Sequence, residues 1–213
     1  RTGYTGDLGY EIWVPTELAT ACWDRLMEVG RRYAIQPAGI WALDVARIEA
    51  GLIMLDVDYY PSQKATTPSQ ASTPFELGLG WSVHLHKPYF VGKKALQKEK
   101  ETGSTYHFIG LQIDHLALTD AYEALGLPVQ LPFVPWREMI PLFEPVESQQ
   151  VGYATCGSWS PTVKGYLALA QVHPEFAQPE QALTIDLMVD RYRRTIPATV
   201  KKLPFFNPPR KRG

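Results

Sequence analysis

One carboxylate stands out in the opening segment "RTGYTGDLGYEIWVP", residues 1–15. Glu11 lies between Tyr10 and Ile12, where apolar alternation predicts a strand over Tyr10–Val14. That alternation puts Glu11 and Trp13 on one face and Tyr10, Ile12 and Val14 on the other. If both faces are covered, the carboxylate must find donors, because an unpaired charge in apolar surroundings is costly. A carboxylate is well served by two parallel N–H groups on one planar partner. A guanidinium offers such a pair, and Arg47 is the candidate. A 2-amino-4-oxo-pterin offers the same pair from its ring N3 and exocyclic amine. Composition alone favours the arginine and leaves the heterocycle open.

Other chemistries find less support. The "HLH" at His84–His86 predicts two imidazoles on one strand face, a geometry able to hold a metal, but no third ligand lies near in sequence. The remaining histidines, His107, His115 and His173, are scattered. No Gly-x-Ser-x-Gly element marks a nucleophile elbow. "GYTGDLG" is glycine-rich, yet it lacks the Walker lysine and does not match Gly-x-Gly-x-x-Gly. Cys22 and Cys156 are far apart and without metal spacing, which predicts core packing and a reducing, cytoplasmic setting. A net charge of −1 gives no global field for nucleic acid or an anionic membrane, and the basic end "RKRG" reads as a solvated terminus. No apolar run reaches the ~20 residues of a membrane helix.

The elements that must position these groups change character along the chain. After the first predicted strand, "TELATACWDRLMEVGRRY" and "IWALDVARIEAGL" have helical periodicity, the second ended by Gly51. "IMLDVDYY" completes an α/β beginning, residues 61–72 read as a loop, and "TPFELGLGWSV" as a turn feeding a strand. "VGKKALQKEKETG" predicts a short lysine-rich helix stopped by Gly103. From Tyr106 onward, short strands recur at intervals of about 10 residues, the pattern of a small antiparallel barrel or sandwich. "AYEALGLPVQLPFVPWREM" interrupts them as a helix plus a proline-bound excursion. The expectation is α+β, divided near Gly103 into residues 1–103 and 104–213.

Four ordered motifs carry a resemblance: "RTGYTGDLGYEIWVP", "GIWALDVARIEAGL", "TPFELGLGWSV…FVGKKAL" and "QVGYATCGSWSPTVKGYLALAQV" with the closing "ATVKKLPFF". Together they resemble the aminomethyltransferase (glycine-cleavage T-protein) family over nearly the whole chain. Residues 61–70 and roughly 114–140 lie outside the match. The resemblance implies the end of a folate-binding, ferredoxin-like α/β domain followed by a C-terminal β-barrel. It implies tetrahydrofolate as cofactor and Glu11 as the residue that grips the pterin. Tyr10, Tyr4, Trp81 and Arg47 match family positions near folate. For Arg47 an internal ion pair with Asp44 or Glu49 is the competing expectation, and Asp58 is expected to stabilise a turn. For Tyr4, Tyr10 and Trp81 the competing expectation is core packing.

The implied chemistry is transfer of a methylene or methyl unit to folate N5, with a small-molecule donor and, for an aminomethyltransferase, a lipoyl carrier protein as partner. The family's acidic catalytic residue falls upstream of Arg1, so no catalytic residue is assigned. The chain is expected to be an inactive piece of a longer polypeptide. Leu43 stands where the glycine-cleavage enzyme has an arginine, and the longer segments at 61–70 and 114–140 look more like T-protein-like relatives. Those relatives include folate-dependent demethylases and the folate domains of dimethylglycine and sarcosine oxidases. Non-enzymatic iron–sulfur and tRNA-modification factors of the same fold fit less well. Pro88 replaces their motif cysteine and Lys94 their glutamate.

Overall fold

Six antiparallel strands close on themselves in the order β1-β4-β3-β2-β5-β6. They are β1 (His107–Ile113), β2 (Ile140–Phe143), β3 (Gln150–Ser160), β4 (Gly165–Val172), β5 (Ala182–Val189) and β6 (Tyr192–Lys201). The computed structural model describes residues 3–67, 70–131 and 134–209. Closure through β1 and β6 removes the free sheet edges that an open antiparallel sheet would expose. The expected strands of the second half are all present.

The barrel interior follows from alternation. Ile109, Leu111 and Ile113 of β1 point inward with Leu183, Ile185 and Val189 of β5 and Ile196, Ala198 and Val200 of β6. β4 breaks the alternation and is buried at every position. Its inward residues Tyr166, Ala168, Ala170 and Val172 join the barrel core. Its outward residues Leu167 and Leu169 form a second apolar cluster with Cys156 and Ile48. A strand covered on both faces reads as a continuous apolar run, as "GYLALAQV" does.

Helix α2 (Ile40–Glu49) supplies the outer cover for β3 and β4. It ends at Ala50, and Gly51 takes the left-handed conformation (φ +68°) that ends helices cheaply only for glycine. The C-terminal segment comes back over the same region. A Cβ on Gly110 would lie 2.6 Å from the Phe205 ring, so only glycine lets that ring approach β1. The other helices are α1 (Ala19–Gly30), α3 (Lys93–Thr102) and α4 (His115–Glu123). Asp114 caps α4 by accepting from the Leu116 and Ala117 amides. Residues 124–131 and 134–139 form the irregular excursion, fastened where Trp136 exchanges backbone hydrogen bonds with Gly157.

The first half departs from expectation in its strands. Tyr10–Val14 forms no ladder, and "IMLDVDYY" gives only the isolated bridges Leu55–Tyr59 and Tyr60–Ala71. "GLGWSV" becomes a single 3-10 turn, Gly80–Ser82, and no strand follows it. A strand exists only when a neighbour pairs its N–H and C=O groups over several residues, and among the described residues these segments have at most isolated bridges.

Candidate functional site

The most heavily built polar site lies where α2 meets the barrel, with Arg47 at its centre. Helical spacing sets Asp44 and Arg47 one turn apart, and Arg47 Nε donates to Asp44 Oδ1 at 2.7 Å. Arg47 Nη1 donates to Asp58 Oδ2 at 2.6 Å and to the Leu52 carbonyl at 3.3 Å. Arg47, Asp44 and Asp58 are each about 1% exposed or less. Burying charges so deeply is tolerable only when each is paired and hydrogen-bonded. Arg137 reaches in from the excursion and places Nε and Nη2 on Asp44 Oδ2, at 3.0 and 2.7 Å. Two aspartates thus face two arginines.

Asp58 joins three parts of the chain. Its carboxylate also accepts from the Met54 amide at 2.8 Å, which closes the 54–58 turn. Thr155 Oγ1 donates to Oδ1, and Cys156 Sγ lies 3.3 Å from the same oxygen. A bulge aims Thr155: the β3–β4 register slips between Ala154 and Cys156, leaving Thr155 without a cross-strand partner. Gln171 Nε2 donates to the Asp58 carbonyl at 2.8 Å. Burial and the adjacent Asp58 push the Cys156 thiol far above its ordinary range, so it is an inert core group. Cys22, expected in a core, is only half-buried.

This network takes Arg47 out of reach of Glu11. The ion pair between them that composition favoured does not form, because Asp44 and Asp58 hold the guanidinium; of its nitrogens only Nη2 is buried without a partner. Glu11 is exposed and makes no hydrogen bond or ion pair to a described residue. The expectation of a carboxylate buried in a covered strand fails with the strand itself. Tyr10 is 69% exposed and Trp81 80%, so neither packs in a core. Tyr4 is half-buried and its hydroxyl donates to the Ile53 carbonyl, beside the arginine network. Burial raises the Tyr4 phenol to about 12, Asp58 and Asp44 adding to the rise against the pull of Arg47. The structure therefore brings Tyr4 to Arg47 and leaves Glu11, Tyr10 and Trp81 open to solvent.

His84 and His86 stand edge to face, ring centroids 5.5 Å apart, in a turn instead of on the predicted strand. Among the described residues no three metal-ligating side chains come together. Sequence reasoning passed over Arg137, Thr155 and Gln171, whose partners lie 93, 97 and 113 positions away. The adjacency of Asp44 and Arg47 on one helix was the only local signal of this cluster.

Residues 1–87 match the model of the GCVT N-terminal domain, and residues 126–207 match the glycine cleavage T-protein C-terminal barrel domain. The chain belongs to the aminomethyltransferase (glycine-cleavage T-protein) family. It is 35% identical over 185 residues to an aminomethyltransferase of Desulfitobacterium hafniense, covering 87% of this chain and 43% of that protein. An aminomethyltransferase of Halothermothrix orenii is 33% identical over 206 residues, covering 97% and 49%. Among solved structures, the glycine cleavage system aminomethyltransferase T of Bartonella henselae superimposes with a TM-score of 0.74 at 26% identity. That superposition covers 96% of this chain and 48% of the other. The chain spans about half the length of the relatives it matches. No helix among the described residues is long and apolar enough to cross a membrane.

Proposed function

We propose that the protein containing this chain transfers one-carbon units to tetrahydrofolate, in the manner of an aminomethyltransferase. The observation that carries this reading is the freedom of Glu11. Its guanidinium competitor is held by Asp44 and Asp58, and the carboxylate makes no ion pair with a described residue. An unengaged carboxylate accepts the paired N–H donors of a pterin without first breaking a protein contact. The exposed rings of Tyr10 and Trp81 are the partners for stacking, and Tyr4 steadies the loop that carries Glu11 by holding the Ile53 carbonyl. Arg47 retains only Nη2 as a donor for folate.

Tetrahydrofolate, when bound, supplies the N5 that accepts the one-carbon unit. The part of this chain is to bind and orient. The acid that would polarise N5 is expected upstream of Arg1, so the 213-residue chain alone is expected to be inactive. The proposed donor is a small amine, delivered by a lipoyl carrier protein in an aqueous, cytoplasmic setting. The proposed boundary between the folate domain and the barrel lies near Gly103. A second reading, a folate-dependent demethylase or the folate domain of an amine oxidase, draws on the excursion after α4. Arg137 in that excursion fastens directly onto Asp44.

Glu11→Gln in the full-length protein is the test. It puts an amide donor against the pterin amine, and losing a charge-assisted hydrogen bond costs about 1.5–3 kcal/mol. Tetrahydrofolate binding, followed by calorimetry, weakens by about ten- to a hundredfold. The melting temperature stays put, because Glu11 is exposed. Unchanged affinity for folate overturns the assignment.

A further inference from the structure

A second site lies on another face of α2, around Glu49. Ala42, Val45, Ala46 and Glu49 recur at helical spacing and line one wall of a cavity of about 380 Å3. Trp159 and Pro161, at the β3–β4 hairpin, line the other. The walls are methyl groups, a proline ring and an indole. Into them projects one carboxylate.

Glu49 is 7% exposed, and its side-chain bonding is incomplete. Oε1 accepts from Ser160 Oγ at 2.6 Å, and that hydroxyl oxygen accepts in turn from the Val163 amide at 2.9 Å. Oε2 has no hydrogen-bond partner among the described residues. Neither nearby arginine is available: Arg47 is held by Asp44 and Asp58, and Arg137 by Asp44. One oxygen of this mostly buried carboxylate is thus fixed by the protein, and the other is left open at the cavity to a ligand. The hydroxyl and amide fix its direction in advance, which lowers the cost of binding a cation there.

We propose that this cavity binds a small alkylated ammonium ion. The charge faces Glu49, and the N-alkyl groups rest on Trp159 and Pro161. The lining decides the class. A primary ammonium needs three acceptors, whereas the cavity offers the Glu49 carboxylate and little else that is polar besides Thr162. An alkylated ammonium has few or no N–H groups, presents an apolar shell, and is drawn to an indole face by its quadrupole. The volume is that of a small-molecule site. The site uses none of the residues assigned to folate and stands whether or not that assignment does.

Choline and its uncharged isostere 3,3-dimethylbutan-1-ol, titrated into the full chain by calorimetry, test the charge and the shape separately. Choline binds saturably and about tenfold more tightly than the alcohol. Glu49→Gln keeps the Ser160 contact, abolishes that preference and leaves the alcohol unchanged. Ala42→Leu, on the exposed part of the same wall, fills the cavity and removes both ligands without touching the carboxylate. Thermal melts of both variants confirm folding, and Ala42→Leu carries the test alone if Glu49→Gln unfolds. Equal affinities for choline and the alcohol overturn the proposal, as does choline binding indifferent to Ala42→Leu. Choline binding that appears only after removal of residues 210–213 would give the site to the chain's own cations and overturn it equally.

Discussion

The barrel and the first sixty residues are built from similar amino acids and reach opposite ends of burial. Leu111, Ile113, Leu142 and Ile185 in the barrel are wholly buried. Trp13, Trp23, Leu26, Ile40 and Trp41 in the first part are 42–89% exposed. Among the described residues, the extensive contacts of α1 with other elements are those with its flanking 3-10 turns. In the barrel each strand covers its neighbours, so burial is achieved within one continuous stretch of chain. Hydrophobic content alone thus says little about where a core is. What matters is whether the covering elements belong to the same segment.

Asp58 is the seam between the two regions, and its loss has the largest expected effect. Asp58→Ala leaves Arg47 buried with half its countercharge and frees Thr155 and the Met54 amide. It costs about 3–5 kcal/mol, read as a shift in urea midpoint. A loss below 1 kcal/mol would mean that the two regions are energetically separate. Within the barrel, Gly152→Ala is next. Its Cβ would lie 2.1 Å from the Gln171 carbonyl oxygen, a backbone atom that moves only if β3 and β4 part. Destabilisation at the top of the usual overpacking range, about 3 kcal/mol, is expected in the same assay.

Alkaline titration compares the regions through one tyrosine in each. Burial raises both Tyr4 and Tyr153 to about 12, Tyr153 with added repulsion from Tyr106 and Glu76. Each phenol is held neutral in the fold, so its contribution to stability is complete below the ordinary value of about 10. The contribution is lost as pH rises from there toward 12. Urea midpoints at pH 8 and 11 should differ, and Tyr4→Phe should remove the N-terminal share of the difference. Unchanged midpoints would mean that neither phenol is buried from water. The smallest effect belongs to the exposed helix. Trp23→Ser changes stability by no more than about 0.5 kcal/mol, as surface substitutions do. A loss above 1 kcal/mol would show the α1 face to be covered.

Legibility in the sequence followed the range of the interactions. Helices α2 and α3 and the Gly51 and Gly103 stops depend on neighbours a few residues away. The barrel strands, though paired far along the chain, each carry their own alternation or apolar run, so these patterns were readable. Tyr10–Val14 has the alternation of a strand, but pairing is a property of two segments, and no described segment pairs with it. The Arg47 cluster was half-readable. Asp44 lies one helical turn from Arg47, whereas Asp58 arrives through a turn and Thr155 through a bulge that no alternation announces. Glu49 was weighed as a partner for Arg47 because both lie on α2, but positions two apart point to different sides of a helix. It turned instead to Ser160.

The tail after β6 has a consequence for how the chain is made. Leu203 sits against Gly51, Phe205 against Gly110, and the Phe206 amide donates to the Glu49 carbonyl. Helix α2 is therefore latched by residues that are translated only after all six strands. Until they emerge, α2 has an incomplete seat on the barrel. Ending translation at Lys201 would spare every strand and still loosen α2.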